Sequence, residues 1–317
     1  MKTRIYIIAM LLISAAGFSQ QNAQYNHYIF NQLVLNPAYA GTKGLVNVNG
    51  IYASQWSGLD GAPTTQSVSI EGPVFNNIGL GLHLIKDEIG SQSNQGLFGS
   101  YAFRVKLTKK LKLSMGISTG VTYHSLDGTT LISENPDDPA IPMTLEKTAV
   151  FDSKIGMFLY SKRFYFGFSV TELTANIMDS YDMMVAGQIQ HYYMTAGYVA
   201  KLSEDIKFKP SFLIKEDFKA PTNMDLNAFF LYKNLFWLGG TIRTGAEVFK
   251  NKNLDESLRN RDAIIVMTEL NVTDHLRIGY AYTFTTSALK EYTGHEISLG
   301  YYFKPDTKSK MLTPRYF

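Results

Sequence analysis

The sequence predicts an all-β chain closed into a single antiparallel transmembrane β-barrel of about 14 strands, and three observations carry the prediction. Apolar and polar residues alternate with a period of two over stretches of ten or so residues. The connections between the predicted strands alternate between tight and long, as in outer-membrane barrels. Composition agrees: 40 of the 42 aromatic residues are Phe or Tyr and glycine occurs 25 times among 317 residues, a bias toward pleated surfaces, turns and kinks.

The chain opens on an address. Lys2 and Arg4 precede an apolar run from Ile5 to Ala16, and Gly17-Phe18-Ser19 supplies a small-x-small cleavage site. Residues 1–19 therefore read as a secretory signal peptide, too short for a membrane span. No other stretch reaches the ~18 apolar residues of a spanning helix. Without Lys2 and Arg4, 28 basic residues face 27 acidic ones, a balance that gives no reason to propose nucleic acid as a partner. The absence of cysteine removes disulfides, thiolate metal sites and Cys nucleophiles together.

Residues 20–43 form an N-terminal periplasmic or luminal segment ahead of the barrel, which is expected over 44–304 with a periplasmic tail at 305–317. Tyr25, Tyr28, Phe30 and Tyr39 are too many aromatics for an idle linker, and Asn36-Pro37 is a turn signal. Two readings of this segment stay open. It packs as a plug at the periplasmic mouth or in the lumen, or it docks a partner.

The strands are expected at 44–56, 63–75, 77–86, 95–107, 111–125, 149–161 and 164–171. Seven more follow at 190–202, 206–216, 222–232, 235–246, 262–272, 275–285 and 294–304. The comb is clearest where Leu113, Met115 and Ile117 alternate with Ser114, Gly116 and Ser118, and where Ile278, Tyr280 and Tyr282 alternate with Gly279, Ala281 and Thr283. The lengths suit tilted strands of ~9–11 residues crossing a bilayer. Such a sheet must close, because hydrocarbon offers no partner to an unpaired backbone group. The apolar comb would face lipid and the Ser, Gly, Thr and Lys comb the lumen. The N-terminus and tight turns would be periplasmic, and the long loops (126–148, 172–189, 247–261) would face outside in the outer membrane of a Gram-negative bacterium. A secreted soluble β protein is the alternative architecture.

Chemistry is sparse. The six histidines show neither a His-x-x-x-His pair nor an HExxH. No G-x-S-x-G elbow is present, and Gly79-Leu80-Gly81 lies within a predicted strand, with no helix after it to make a phosphate loop. Glu134-Asn135-Pro136-Asp137-Asp138-Pro139 has oxygens that suit calcium but no known ligand spacing. No enzyme, cofactor or metal is expected. Lys207, Lys209 and Lys215 could tune an anion pathway. Lys207 and Lys209, close to a turn, read better as interfacial anchors with their heads in water.

Tyr28-x-Phe30-Asn31 followed by Asn36-Pro37-Ala38-Tyr39-Ala40-Gly41 resembles the opening motif of the PorP/SprF family. Gln55-Trp56, Gly58, Ala62-Pro63-Thr64-Thr65 and Gly79-Leu80-Gly81 resemble its next block, and Pro314-Arg315-Tyr316-Phe317 its ending. Gln32 departs from the pattern, where Pro often follows the Phe-Asn pair. The resemblance implies an outer-membrane, non-enzymatic barrel of the type IX secretion system. Such a barrel helps to secrete, anchor or move a large surface protein such as a gliding adhesin. It also implies contact with periplasmic components of the machinery, among them a peptidoglycan-linked lipoprotein. The motif residues Tyr28, Phe30, Asn31, Asn36, Pro37 and Tyr39 are the candidate partner-binding or plug residues. A passive outer-membrane channel for small solutes is the alternative function.

Overall fold

A computed structural model describes residues 25–131, 144–175, 189–246, 261–287 and 289–303. Three 3-10 turns, His27–Ile29, Gln32–Val34 and Pro37–Tyr39, precede the sheet. The strands are β1 (Val46–Ser57), β2 (Thr64–Phe75), β3 (Ile78–Ile89), β4 (Gln92–Lys106), β5 (Lys112–Asp127), β6 (Leu145–Tyr160) and β7 (Phe164–Thr171). Next come β8 (His191–Tyr198) and β9 (Ala200–Lys201), which both pair with β10 (Ile206–Glu216) and form one strand interrupted at Val199. The chain ends with β11 (Thr222–Tyr232), β12 (Phe236–Ala246), β13 (Arg261–Asn271), β14 (Leu276–Thr285) and β15 (Thr293–Phe303).

With β8 and β9 taken as one strand, every strand pairs antiparallel with its neighbours in sequence, and β1 pairs with β15 from Val46↔Phe303 onward. The sheet is thus a closed antiparallel barrel of 14 staves with no free edge, the form that lipid demands. The predicted strand limits match to within a few residues. One connection departs from the expected alternation: β3 and β4 are joined on the long-loop side by only Gly90-Ser91. The two strands run further here than the comb suggested, because Asp87, Glu88 and Ser93 pair across the ladder although they break the apolar pattern.

The comb sorts by solvent. On β3, Leu80, Leu82 and Leu84 are exposed on the outer surface, whereas His83 is buried in the lumen. On β5, Met115 and Ile117 face out while Ser114 and Ser118 are buried. Leucine, isoleucine and aromatic side chains exposed all round the outer wall form the lipid-facing belt. The interior holds the charges: Glu71, Arg104, Lys209, Asp225, Arg243, Glu269, Arg277 and Glu296 are all buried. Ionisable groups at this depth persist only when paired, and their partners define the site.

Candidate functional site

Residues 25–43 lie inside the barrel. The segment enters the wall at the short-turn end, where Gly41 approaches β2 to β4. Traced backward, it rises through the lumen to Tyr25, which faces the long-loop end beside Gln55 and Trp56. Tyr28, Phe30, Asn31, Asn36, Pro37 and Tyr39 are all buried. They are spread over opposite walls and do not converge on one pocket.

The Asn36–Gly41 stretch is shaped by local chemistry. The Asn36 side-chain oxygen accepts a hydrogen bond from Ala38 N at 2.9 Å, and Pro37 occupies the first position of the turn that follows, a capped start whose missing N–H costs nothing. Asn36 Nδ2 donates to the carbonyls of Met157 (3.0 Å) and Phe168 (3.2 Å) on β6 and β7. The turn lies on a track of wall glycines. A Cβ at Gly79 would stand 2.1 Å from Ala40 O, one at Gly116 would stand 2.4 Å from Ala38 N, and one at Gly156 would meet Asn36 Oδ1 at 2.1 Å. At these positions plug atoms, backbone at Gly79 and Gly116 and the Asn36 side chain at Gly156, occupy the space a side chain would need. Gly81, in the same strand as Gly79, faces Leu33.

Charged wall residues hold the backbone elsewhere. Gly41, with φ +71°, donates its N–H to Glu71 Oε2 at 2.7 Å, and Arg104 Nη1 donates to Gly41 O. From the wall Lys209 Nζ donates to Ile29 O at 3.0 Å, and within the plug Lys43 Nζ donates to Phe30 O at 3.0 Å. Glu296 accepts from Asn26 N (2.7 Å) and His27 N (2.8 Å). Arg243, doubly bonded to Asp225 at 2.8 and 3.0 Å, reaches Asn26 Oδ1 at 3.3 Å. Phe30 packs edge-on against Phe229 and tilted against Trp237, both with ring centroids 5.9 Å away. Tyr39 meets Phe158 edge-on at 5.5 Å. Hydrophobic and aromatic burial supplies the bulk of the adhesion, and the charge-assisted bonds fix its register.

Lys209 corrects the sequence reading. It is completely buried, with its ammonium 5.3 Å from the Phe30 ring and 5.7 Å from Trp237. It is therefore neither an interfacial anchor in water nor the lining of an open anion path. Lys207 does sit near the turn, donating to Asn234, and Lys215 lies 3.9 Å from Asp225. The acidic loop 134–139, the terminal motif at 314–317, the tail from 304 onward and the signal peptide lie outside the described residues.

Above the plug a vestibule of about 660 Å³ opens at the long-loop end. Tyr25, Asn26, Val34 and Leu35 contribute from the plug, and Trp56, Asp87, Asp152, Lys154, Glu172 and His191 from the wall. Trp56 and Glu172 have φ of +50° and +54°, a left-handed backbone that is costly for such side chains. Among the described residues no cluster of three or more His, Asp or Glu side chains is placed to hold a metal.

The wall residues Glu71, Arg104 and Glu296 were not singled out from sequence, and Lys209 was singled out for another role. One signal was available: each lies on the inward parity of its strand, where a charge in a barrel of this size needs a partner inside.

Comparison with known proteins adds a family. The model of the family described as "Type IX secretion system membrane protein PorP/SprF" matches residues 17–301. No curated protein matches the chain. Among solved structures it is similar to the CymD monoaromatic hydrocarbon channel (12% identity, 88% of this chain and 94% of that one, TM-score 0.51). It is also similar to a deltaS2 mutant of the TodX monoaromatic hydrocarbon channel (10% identity, 87% and 94%, TM-score 0.50). At such identities the likeness is one of fold.

Proposed function

Because this chain belongs to the PorP/SprF family of type IX secretion system membrane proteins, we propose that it is a non-conducting, non-enzymatic adaptor barrel of the outer membrane. It helps to secrete, anchor or move a large cell-surface protein (an adhesin of gliding being the fitting class). The long-loop end, with the vestibule, faces that protein, and the short-turn end faces the periplasmic machinery. The supporting observation is the occupied interior: residues 25–43 lie buried in the lumen and bond to the wall through Glu71, Arg104, Lys209 and Glu296. A barrel built as a solute path would not commit its inward charges to its own backbone, which counts against the passive channel.

Two measurements test this reading. Purified protein in planar bilayers is expected to give no steady ohmic steps, whereas a variant lacking residues 25–43 conducts. Wild-type conductance would restore the channel. In cells, co-purification with a very large surface protein is expected, and its loss when the long loops are shortened. Undiminished co-purification with shortened loops would remove the assignment of the long-loop end.

A further inference from the structure

The short-turn half of the lumen holds more buried positive charge than negative. Lys43 precedes β1, Glu71 and Arg104 lie near the short-turn ends of β2 and β4, Lys209 follows the β9–β10 turn, and Glu269 and Arg277 flank the β13–β14 turn. All six side chains are buried, and only Glu71 and Glu269 among them are acidic. Glu269 is engaged by Arg277 Nη1 at 3.1 Å. Glu71 gives one oxygen to Gly41 N at 2.7 Å and the other to Asn47 Nδ2 at 3.3 Å. Among the described residues neither Lys43 nor Arg104 forms an ion pair with a carboxylate. Lys43 and Arg277 are moreover drawn to one ring: the Lys43 ammonium lies 5.3 Å and the Arg277 guanidinium carbon 4.5 Å from the centre of Tyr302, near enough for the two cations to repel each other. Around them stand Asn49, whose oxygen takes Arg277 Nη2 at 2.7 Å, and Tyr39, whose ring centre is 5.7 Å from Lys43 Nζ. Arg277 Nε, Asn49 Nδ2 and the Tyr39 hydroxyl are buried donors that meet no acceptor among the described residues.

We propose that a small inorganic anion, of which chloride is the type, is bound between Lys43 and Arg277 in this half of the lumen. Two independent observations converge on it. Like charges held together away from water are costly unless an opposite charge accompanies them, and three buried donors at the same place lack an acceptor. Tight packing of the plug against the wall, with Phe158 edge-on to Tyr39 at 5.5 Å, suits a monatomic ion better than an organic acid. The anion joins the plug, through Lys43 and Tyr39, to Arg277 on β14 and Asn49 on β1, the strands on either side of β15. It thereby fastens the plug at the seam where the barrel closes. The site is independent of what the barrel docks.

The test uses the full chain in detergent with chloride replaced by bromide. Crystals grown in this way should show an anomalous bromide peak in contact with Lys43 and Arg277. Lys43→Met should lose the peak, Lys43→Arg should keep it, and Gly50→Ala, at a position with nothing near its would-be Cβ, should leave it unchanged. Tyr39→Phe keeps the ring and removes only the hydroxyl; it should lower the occupancy, and it serves in place of Lys43→Met should that variant not fold. Stability gives a second readout. Chloride, compared with gluconate at equal ionic strength, should raise the urea midpoint of the wild type and not that of Lys43→Met, since an anion bound only by the folded protein stabilises it. Matched ionic strength removes screening from the comparison, and the variant removes general effects of the two salts on unfolding. Absence of bromide beside Lys43 and Arg277 in the wild type would overturn the proposal, whether because Lys43 has shed its proton or because a carboxylate from beyond Phe303 fills the place. Full bromide occupancy in both Lys43→Met and Tyr39→Phe, or the same chloride response in wild type and Lys43→Met, would overturn it too.

Discussion

Glu296 and His27 lie 2.7 Å apart, Oε1 to Nδ1, in a part of the lumen where both side chains are 1% exposed. The same carboxylate takes the backbone N–H groups of Asn26 and His27. A single acidic residue of β15 thus caps the start of a turn some 270 positions away in sequence, and with Tyr302, which accepts from Lys43 Nζ at 3.4 Å, it ties the last strand to the plug.

Glu296→Ala would orphan two buried N–H groups and an imidazole N–H. The plug's attachment should weaken by about 3–5 kcal/mol, while Glu296→Gln, which keeps an acceptor, should lose less. Protease cleavage within residues 25–43 of the folded, heat-modifiable barrel reads the difference. Equal protection of wild type and Glu296→Ala would show that the clamp is dispensable.

The glycine track makes a steric prediction. Gly116→Val and Gly79→Val place side chains where Ala38 and Ala40 backbone now sits, so the plug must leave or shift while the outer wall stays intact. Ohmic conductance is the expected outcome. Gly50, with nothing near its would-be Cβ, is the control, and Gly50→Ala should remain silent. A silent Gly116→Val in a correctly folded barrel would mean that the lumen is sealed by something other than this segment.

Lys209→Met separates two places for an ammonium. Removing a buried donor leaves Ile29 O without its 3.0 Å bond, at a cost of about 1–3 kcal/mol. A lysine with its head in interfacial water would be neutral to the same change. Unfolding of the two proteins in urea, followed on gels by heat modifiability, should show the variant's midpoint lowered.

The two tryptophans report on the seal. Trp237 is fully buried against Phe30, whereas Trp56 lines the vestibule. Acrylamide should quench one class of emission readily and spare the other, and Trp56→Phe should leave only the spared class. Added to Gly116→Val, Trp56→Phe should restore quenching because Trp237 loses its cover. Full accessibility of both tryptophans in the wild type would contradict the packed interior.

The strands could be read from residues because their environment is imposed from outside. Hydrocarbon on one face and a largely polar lumen on the other favour alternation along the membrane-crossing stretches, so Met115 and Ile117 against Ser114 and Ser118 already state the architecture. The family motif was legible too, though its place was not. Tyr28, Asn36 and Tyr39 would look the same on a docking surface, and only closure of the barrel put them inside.

The sequence by itself determined a strand-crossing membrane barrel and its family, since both are written in local pattern. The tertiary structure alone decided what fills the barrel, because the contacts concerned, Lys209 with Ile29 or Gly116 with Ala38, join residues with no periodic relation along the chain. A buried lysine and an exposed one share the same letter and strand position. They differ only in whether a backbone carbonyl or water meets the ammonium, and that depends on where a distant segment folds.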